Sequence, residues 1–264
     1  MKDVDSDTSL DERDEEIDTI SPSGIRMSHL RALNFVAGVA HLLQAAFMGF
    51  THLLTYVFPV TISHGTTTRI LSHVPSVIFI SGSSLISSVF HFAVVHPRVF
   101  PAYSRGICSQ TNYFRWMEYS VSSSLMLVVI AQLIGIYNIG VLASFFALNS
   151  SMIFFGWLQE RYEFPGTGGL SPFYFGCFAG TVPWVVMGGH MLSFPGGLPA
   201  YAYEIYASIF ILFSCFAGVQ YCQYKCVWIF KDYFVGEAVY ILLSIVAKSL
   251  LAWETYFGAL MVEE

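Results

Sequence analysis

Charge is what this chain has least of. Only 11% of its 264 residues are charged and 55% are apolar, whereas ordinary soluble domains carry roughly 25% charged residues. So few charges cannot clothe a water-soluble globule of this size. Basic residues are scarcer still, 12 Lys and Arg against 18 Asp and Glu, which leaves no positive surface for a nucleic acid. The start of the chain lacks the basic segment, short apolar core and small-residue cleavage site of a secretory signal. Cysteine is sparse and odd in number: Cys108, Cys177, Cys215, Cys222 and Cys226. Four of these lie in or beside apolar stretches, where a thiol behaves as a small hydrophobe, so neither a disulfide frame nor a metal site is expected.

What is present is apolar sequence in long runs. Stretches of the length that crosses a bilayer, about 20 residues, recur at 31–58, 71–95, 114–136, 139–158, 173–193, 201–228 and 234–258. The breaks between them are short, such as Asn138, Phe194 to Pro199, and Lys231-Asp232. The expected fold is therefore an all-α, multi-pass membrane protein with a seven-helix bundle spanning 29–264 and no second folded domain. Residues 1–28 form a separate tail with Asp3, Asp5, Asp7, Asp11, Glu12, Asp14, Glu15, Glu16 and Asp18, too acidic and too poor in apolar groups to fold. The Asn149-Ser150-Ser151 glycosylation pattern falls inside a span, out of reach.

Lys and Arg on short loops favour the cytoplasmic side. Lys2, Arg13, Arg26, Arg31, Arg98, Arg105, Arg115, Arg161, Lys225 and Lys231 share one face, and only Arg69 lies opposite. This places the N-terminus in the cytoplasm and the C-terminus outside, with the plasma membrane as the expected location.

The remaining cation, Lys248, sits near the middle of the last span. An ionisable group at that depth costs about 2.5 to 3.5 kcal/mol on insertion scales and marks a functional site by default. A neutral amine there is the nucleophile that condenses with an aldehyde, and a protonated imine so formed is a buried cation that needs a carboxylate. Glu118, in the third span, is the candidate. Counted at 1.5 Å per residue, the Cα depths of the two differ by roughly 10 to 15 Å. A helical side chain leans toward the N-terminus of its helix, so Lys248 reaches back toward Glu118, with Ser244 one turn earlier on the same face. A purely structural ion pair, in a transporter or receptor without a chromophore, fits the same pair of residues.

Three runs carry a family resemblance: Arg115-Trp116-Met117-Glu118-Tyr119-Ser120, Phe155-Gly156-Trp157-Leu158-Gln159-Glu160, and Ser244 to Leu251. Together with the inverted orientation they resemble heliorhodopsins over all seven spans. The resemblance implies a non-enzymatic photoreceptor, a rhodopsin-like fold, all-trans retinal as a protonated Schiff base on Lys248, Glu118 as counterion, a homodimer and a slow photocycle. A light-driven pump fits less well. Val129 and Ser244 stand where pumps carry a second carboxylate and an aspartate, and the sixth span has no Trp-x-x-Tyr-Pro pattern.

Further assignments follow from the resemblance or accompany it. His41, Gln44 and His91 are expected in a polar cavity near the Schiff base, with hydrogen-bonded core histidines as the structural alternative. Tyr119, Met126, Asn149, Phe210 and Phe213 suit a polyene slot, or plain helix packing. Glu204, at the outer end of the sixth span, reads either as solvated or as part of a light-activated proton path with Glu118. The partners expected are a cytoplasmic signalling protein in the first case and transported protons in the second. Gly176 to Gly180 is a small-residue patch of the kind that lets membrane helices approach closely.

Overall fold

A backbone in hydrocarbon finds no water to bond with, so apolar runs of this length close their hydrogen bonds within helices. The computed structural model describes residues 20–51 and 57–262, with side chains described as far as 258. Seven helices long and apolar enough to cross a membrane are present among them: α1 (Met27–Phe50), α2 (Ser76–Val95), α4 (Tyr113–Leu133), α5 (Ile139–Tyr162), α6 (Ser171–Ser193), α7 (Ala200–Tyr224) and α8 (Tyr233–Val262). Between α2 and α4 lies a short helix, α3 (Phe100–Cys108), and a 3-10 turn at Trp228–Lys231 precedes α8. Most of the proposed acidic tail, residues 1–19, is outside the described residues.

The segment between α1 and α2 departs from expectation. The expected spans 31–58 and 71–95 leave 59–70 as a plain break, but residues 57–75 form an antiparallel ribbon, β1 (Val57–His64) and β2 (Thr67–Pro75). The run is rich in β-branched Val, Ile and Thr, which favour strands, and Gly65 adopts φ +60° in the two-residue turn, a position that glycine fills without strain. A short apolar run does not by itself distinguish a strand from a helix end. The ribbon rests on the α4–α5 connection, where Thr61 N donates to Tyr137 O at 2.9 Å.

Local signals set the helix ends. Asn112 Oδ1 accepts from Arg115 N at 3.2 Å and Asn138 Oδ1 from Gly140 N at 2.9 Å, so each asparagine satisfies a donor in the first turn of its helix. Arg31 Nη2 reaches Val95 O at 2.9 Å, placing a cation on the last carbonyls of α2.

The helices pack in chain order, α8 closing back on α1, while α6 and α7 touch only sparsely. The most central is α4: 78% of its apolar window is buried, against 22% for α7. Its buried side chains from Met126 to Leu133, with Ile134 and Ile136 just beyond its end, fill a core. At the end that holds the start of α8, a second cluster joins Met27, Leu30, Val94, Phe100, Tyr103, Ile107, Tyr233 and Phe234. Gly176 and Gly180 turn toward α5 within the chain: a Cβ on Gly180 would stand 2.1 Å from Met152 Sδ, and one on Gly176 3.1 Å from Phe155 Cβ. The small-residue patch is used to bring α6 against α5.

Candidate functional site

Lys248 is carried on α8 with 4% of its surface exposed. Its Nζ donates to Ser244 Oγ at 2.9 Å and to Glu118 Oε1 at 3.2 Å, and lies 5.3 Å from the centre of the Tyr119 ring. Glu118 Oε1 also accepts from Ser122 at 2.7 Å and from Ser87 of α2. Ser122 is one turn after Glu118, and Ser244 one turn before Lys248, so both serines follow from i, i+4 placement. Around Lys248 the α8 backbone is held as well: Gln44 Nε2 donates to Lys248 O at 3.0 Å and to Ser84 Oγ at 2.9 Å, while Ser249 Oγ donates to Gln44 Oε1 at 2.7 Å.

His41 and His91 stack with ring centres 5.5 Å apart. His91 Nδ1 meets Asn34 Oδ1 at 2.7 Å. Both ring nitrogens of His41 and Nε2 of His91 are buried with no hydrogen-bond partner among the described residues. Leaving such a group dry costs about 1 to 3 kcal/mol, so the pair is suited to bound water.

On the other side of Lys248 is a cavity of about 250 Å³, close to the lower end of small-molecule pockets, roughly 300 to 1,000 Å³. Its wall includes Tyr119, Met126, Trp184, Phe210, Phe213, Phe216, Ser244 and Lys248. Trp184 meets Phe210 and Phe213 edge-on, with centroids 5.2 and 5.5 Å away. Thr181, Phe210 and Ser214 line the same cavity and are exposed, so it opens where α6 and α7 separate. A slender apolar ligand ending in an aldehyde fits this arrangement, since the wall is aromatic and an amine stands in it.

The other expected residues fall in different places. Asn149 is buried behind the cavity wall, its Nδ2 donating to Ser123 Oγ at 2.7 Å and Ser124 Oγ at 3.0 Å. Glu204 is exposed on α7 and has no hydrogen bond into the Glu118 network among the described residues. One turn on, Ser208 Oγ donates to Glu254 Oε2 at 2.9 Å.

A buried ionic cluster escaped the sequence reading. Arg115, counted there among the loop cations, is 5% exposed and pairs with both Glu160 and Glu237. Trp116 Nε1 donates to Glu160 Oε2 at 2.6 Å, Tyr233 OH to Glu160 Oε1 at 3.2 Å, and Asn112 Nδ2 to Glu237 Oε1 at 2.5 Å. The guanidinium stacks on Tyr240, 4.1 Å from its centroid. The clue lay in the spacing: Glu237, Ser244 and Lys248 stand at i, i+7 and i+11 on one face of α8, and Arg115 lies one turn before Glu118.

The comparisons agree with this architecture. The crystal structure of the transmembrane domain and linker region of Salpingoeca rosetta rhodopsin phosphodiesterase superposes with a TM-score of 0.60 at 13% identity, covering 95% of this chain and 76% of that one. At that identity the likeness shows the fold alone. No curated protein matches the sequence. The heliorhodopsin family matches residues 30–260. Seven apolar helices and a match over nearly the whole length make this chain a member of the heliorhodopsin family, retinal-binding, light-sensing integral membrane proteins.

Proposed function

We propose that this protein is a light receptor in which all-trans retinal is bound to Lys248 as a protonated Schiff base, with Glu118 as its counterion. One observation carries the reading: the Lys248 amine stands between the Glu118 carboxylate, 3.2 Å away, and an apolar cavity of about 250 Å³. When bound, retinal supplies a light-driven change of shape. Lys248 supplies the amine, which condenses with the aldehyde and releases water. Glu118 balances the cation that results, and Ser87 and Ser122 hold that carboxylate in place. Tyr119, Met126, Phe210 and Phe213 exclude water along the slot, while His41, Gln44 and His91 belong to the polar side.

The basic residues of one face support an N-terminus in the cytoplasm, so the polar side faces a cytoplasmic signalling partner. The protein acts in this reading as a homodimer in the plasma membrane. Signalling is favoured over a proton path through Glu118 and Glu204 because the further buried charges Arg115 and Glu237 share a polar space with Glu118, whereas Glu204 is exposed.

Purification with all-trans retinal followed by an absorption spectrum tests the reading. The wild type should develop a visible band and Lys248→Ala should not. A wild type that stays colourless would remove the photoreceptor and leave the structural ion pair. A steady photocurrent that Glu204→Gln abolishes would replace signalling with proton transport.

A further inference from the structure

Between Glu118 and Glu237 the bundle contains a second, small cavity of about 20 Å³. That is room for about one water molecule. Asn34, His91, Asn112, Arg115, Glu118 and Glu237 line it, so both carboxylates face one polar space. Glu118 also touches Lys248, and Glu237 also touches Arg115. The two pairs thus border one polar space, on whose wall His91 carries a buried ring nitrogen without a partner among the described residues.

Charge counting in the second pair separates it from an ordinary salt bridge. Arg115 contributes one positive charge, Glu160 and Glu237 one negative charge each, and all three are buried. With both acids ionised the cluster is a net anion in a medium that penalises charge. One added proton makes it neutral. Glu160 is the more heavily held of the two acids, accepting from the Asn112 backbone, Trp116, Tyr233 and Arg115. Glu237 accepts from Asn112 and Arg115, with Tyr103, Tyr233 and Tyr240 as further titratable neighbours, and it is the acid that lines the small cavity.

We infer that Glu237 is the resting place of the proton that leaves Lys248 after illumination. This rests on the reading of Lys248 and Glu118 given above. The N–H bond on Lys248 Nζ breaks and an O–H bond forms on Glu118. That proton then passes across the small cavity, by water or His91, and an O–H bond forms on Glu237 while Glu118 becomes a carboxylate again. No other reactant enters, and the steps reverse in the dark.

The store is closed toward the nearby end of the bundle. Phe100, Tyr103, Ile107, Tyr233 and Phe234 pack together there, with the short helix α3 supplying three of them. A proton held on Glu237 is therefore retained and changes the charge balance beneath α3 and the start of α8.

The test is a light-minus-dark infrared difference spectrum of the full-length pigment in lipid, read in the carbonyl region where a newly protonated carboxylic acid absorbs. The wild type should show a positive band that is lost in Glu237→Gln, displaced in Glu237→Asp and kept in Glu160→Gln. A visible band in the dark certifies that each variant has folded around retinal. If Glu237→Gln forms no pigment, the aspartate variant decides, because an undisplaced band there overturns the inference. A band that survives Glu237→Gln, or that vanishes only in Glu118→Gln or Glu160→Gln, also overturns it. A wild type without any visible band overturns instead the reading on which it rests.

Discussion

Lys248 Nζ and Ser122 Oγ converge on the same oxygen of Glu118, at 3.2 and 2.7 Å. Ser87, from the neighbouring helix α2, donates to that oxygen as well. Glu118 is thus shared between a cation and two neutral donors, and each donor draws negative charge away from the cation. This arrangement makes opposite spectral predictions for two kinds of substitution.

Glu118→Gln removes the negative charge that favours a protonated imine on Lys248. The variant should absorb to the red of the wild type, or lose its visible band as the imine sheds its proton. Spectra recorded across about pH 5 to 8 check this, and identical spectra for the two proteins would remove Glu118 as the counterion.

Ser87→Ala acts in the other sense. Without that hydrogen bond the charge on Glu118 is less dispersed and stabilises the cation beside it more strongly. The band should move to the blue, with a stability loss of about 1 kcal/mol, the worth of one hydrogen bond. A red shift in Ser87→Ala would show that the serine does not act through the carboxylate.

The Lys248–Glu118 pair was legible in the sequence because lysine is so rarely tolerated inside a span that it announces itself. Counting residues along the helices separates the two by roughly 10 to 15 Å in depth; the long side chain leaning toward its helix N-terminus closes much of that gap, and Nζ meets Glu118 Oε1 at 3.2 Å. Arg115 is buried although an arginine at the edge of a span has the sequence signature of a loop cation. Its burial depends on Glu160 and Glu237 arriving from two other helices. The β1–β2 ribbon was hidden for a different reason: Val57, Val60, Ile62 and Ile70 look equally apolar at a helix end or in a strand, and only pairing resolves them. Of the proposed polyene slot, Tyr119, Met126, Phe210 and Phe213 line the cavity. Asn149 does not, since which side of a helix faces a slot depends on helix rotation, which hydropathy fixes poorly in a bundle apolar all round.

Gly156 tests the packing that supports the site. A Cβ added there would lie 2.6 Å from Trp116 Cζ3, and Trp116 is held by its hydrogen bond to Glu160 and cannot easily yield. Overpacking of this kind costs about 1 to 3 kcal/mol, more than the 0.5 to 1 kcal/mol, roughly, that alanine gains over glycine inside a helix. Gly156→Ala should therefore lower the melting temperature of the pigment and, because Trp116 lines the cavity, slow its formation from retinal. A variant that melts and assembles like the wild type would show that the tryptophan moves aside at little cost.

Asp232 ties the segment before α1 to the helix that carries Lys248. Its Oδ2 accepts from Ser23 N and its Oδ1 from Phe234 N, each at 2.9 Å, the second within the first turn of α8. Burial alone would raise its pKa, but hydrogen bonds from Ser21, Ser23 and the Phe234 backbone outweigh it and hold the carboxyl below its ordinary 3.8. With the folded value depressed, the stabilisation is fully present above the unfolded value and disappears as pH falls through the folded one. Asp232→Ala should lower stability near neutrality by about 0.5 to 2 kcal/mol, the range for losing a helix cap. The gap between variant and wild type should then shrink in the acid range below 3.8, where the wild-type carboxylate also becomes protonated. Melting curves of both proteins taken across that range measure the gap directly, and a gap that stayed constant with pH would mean that Asp232 stabilises the fold by shape rather than by charge.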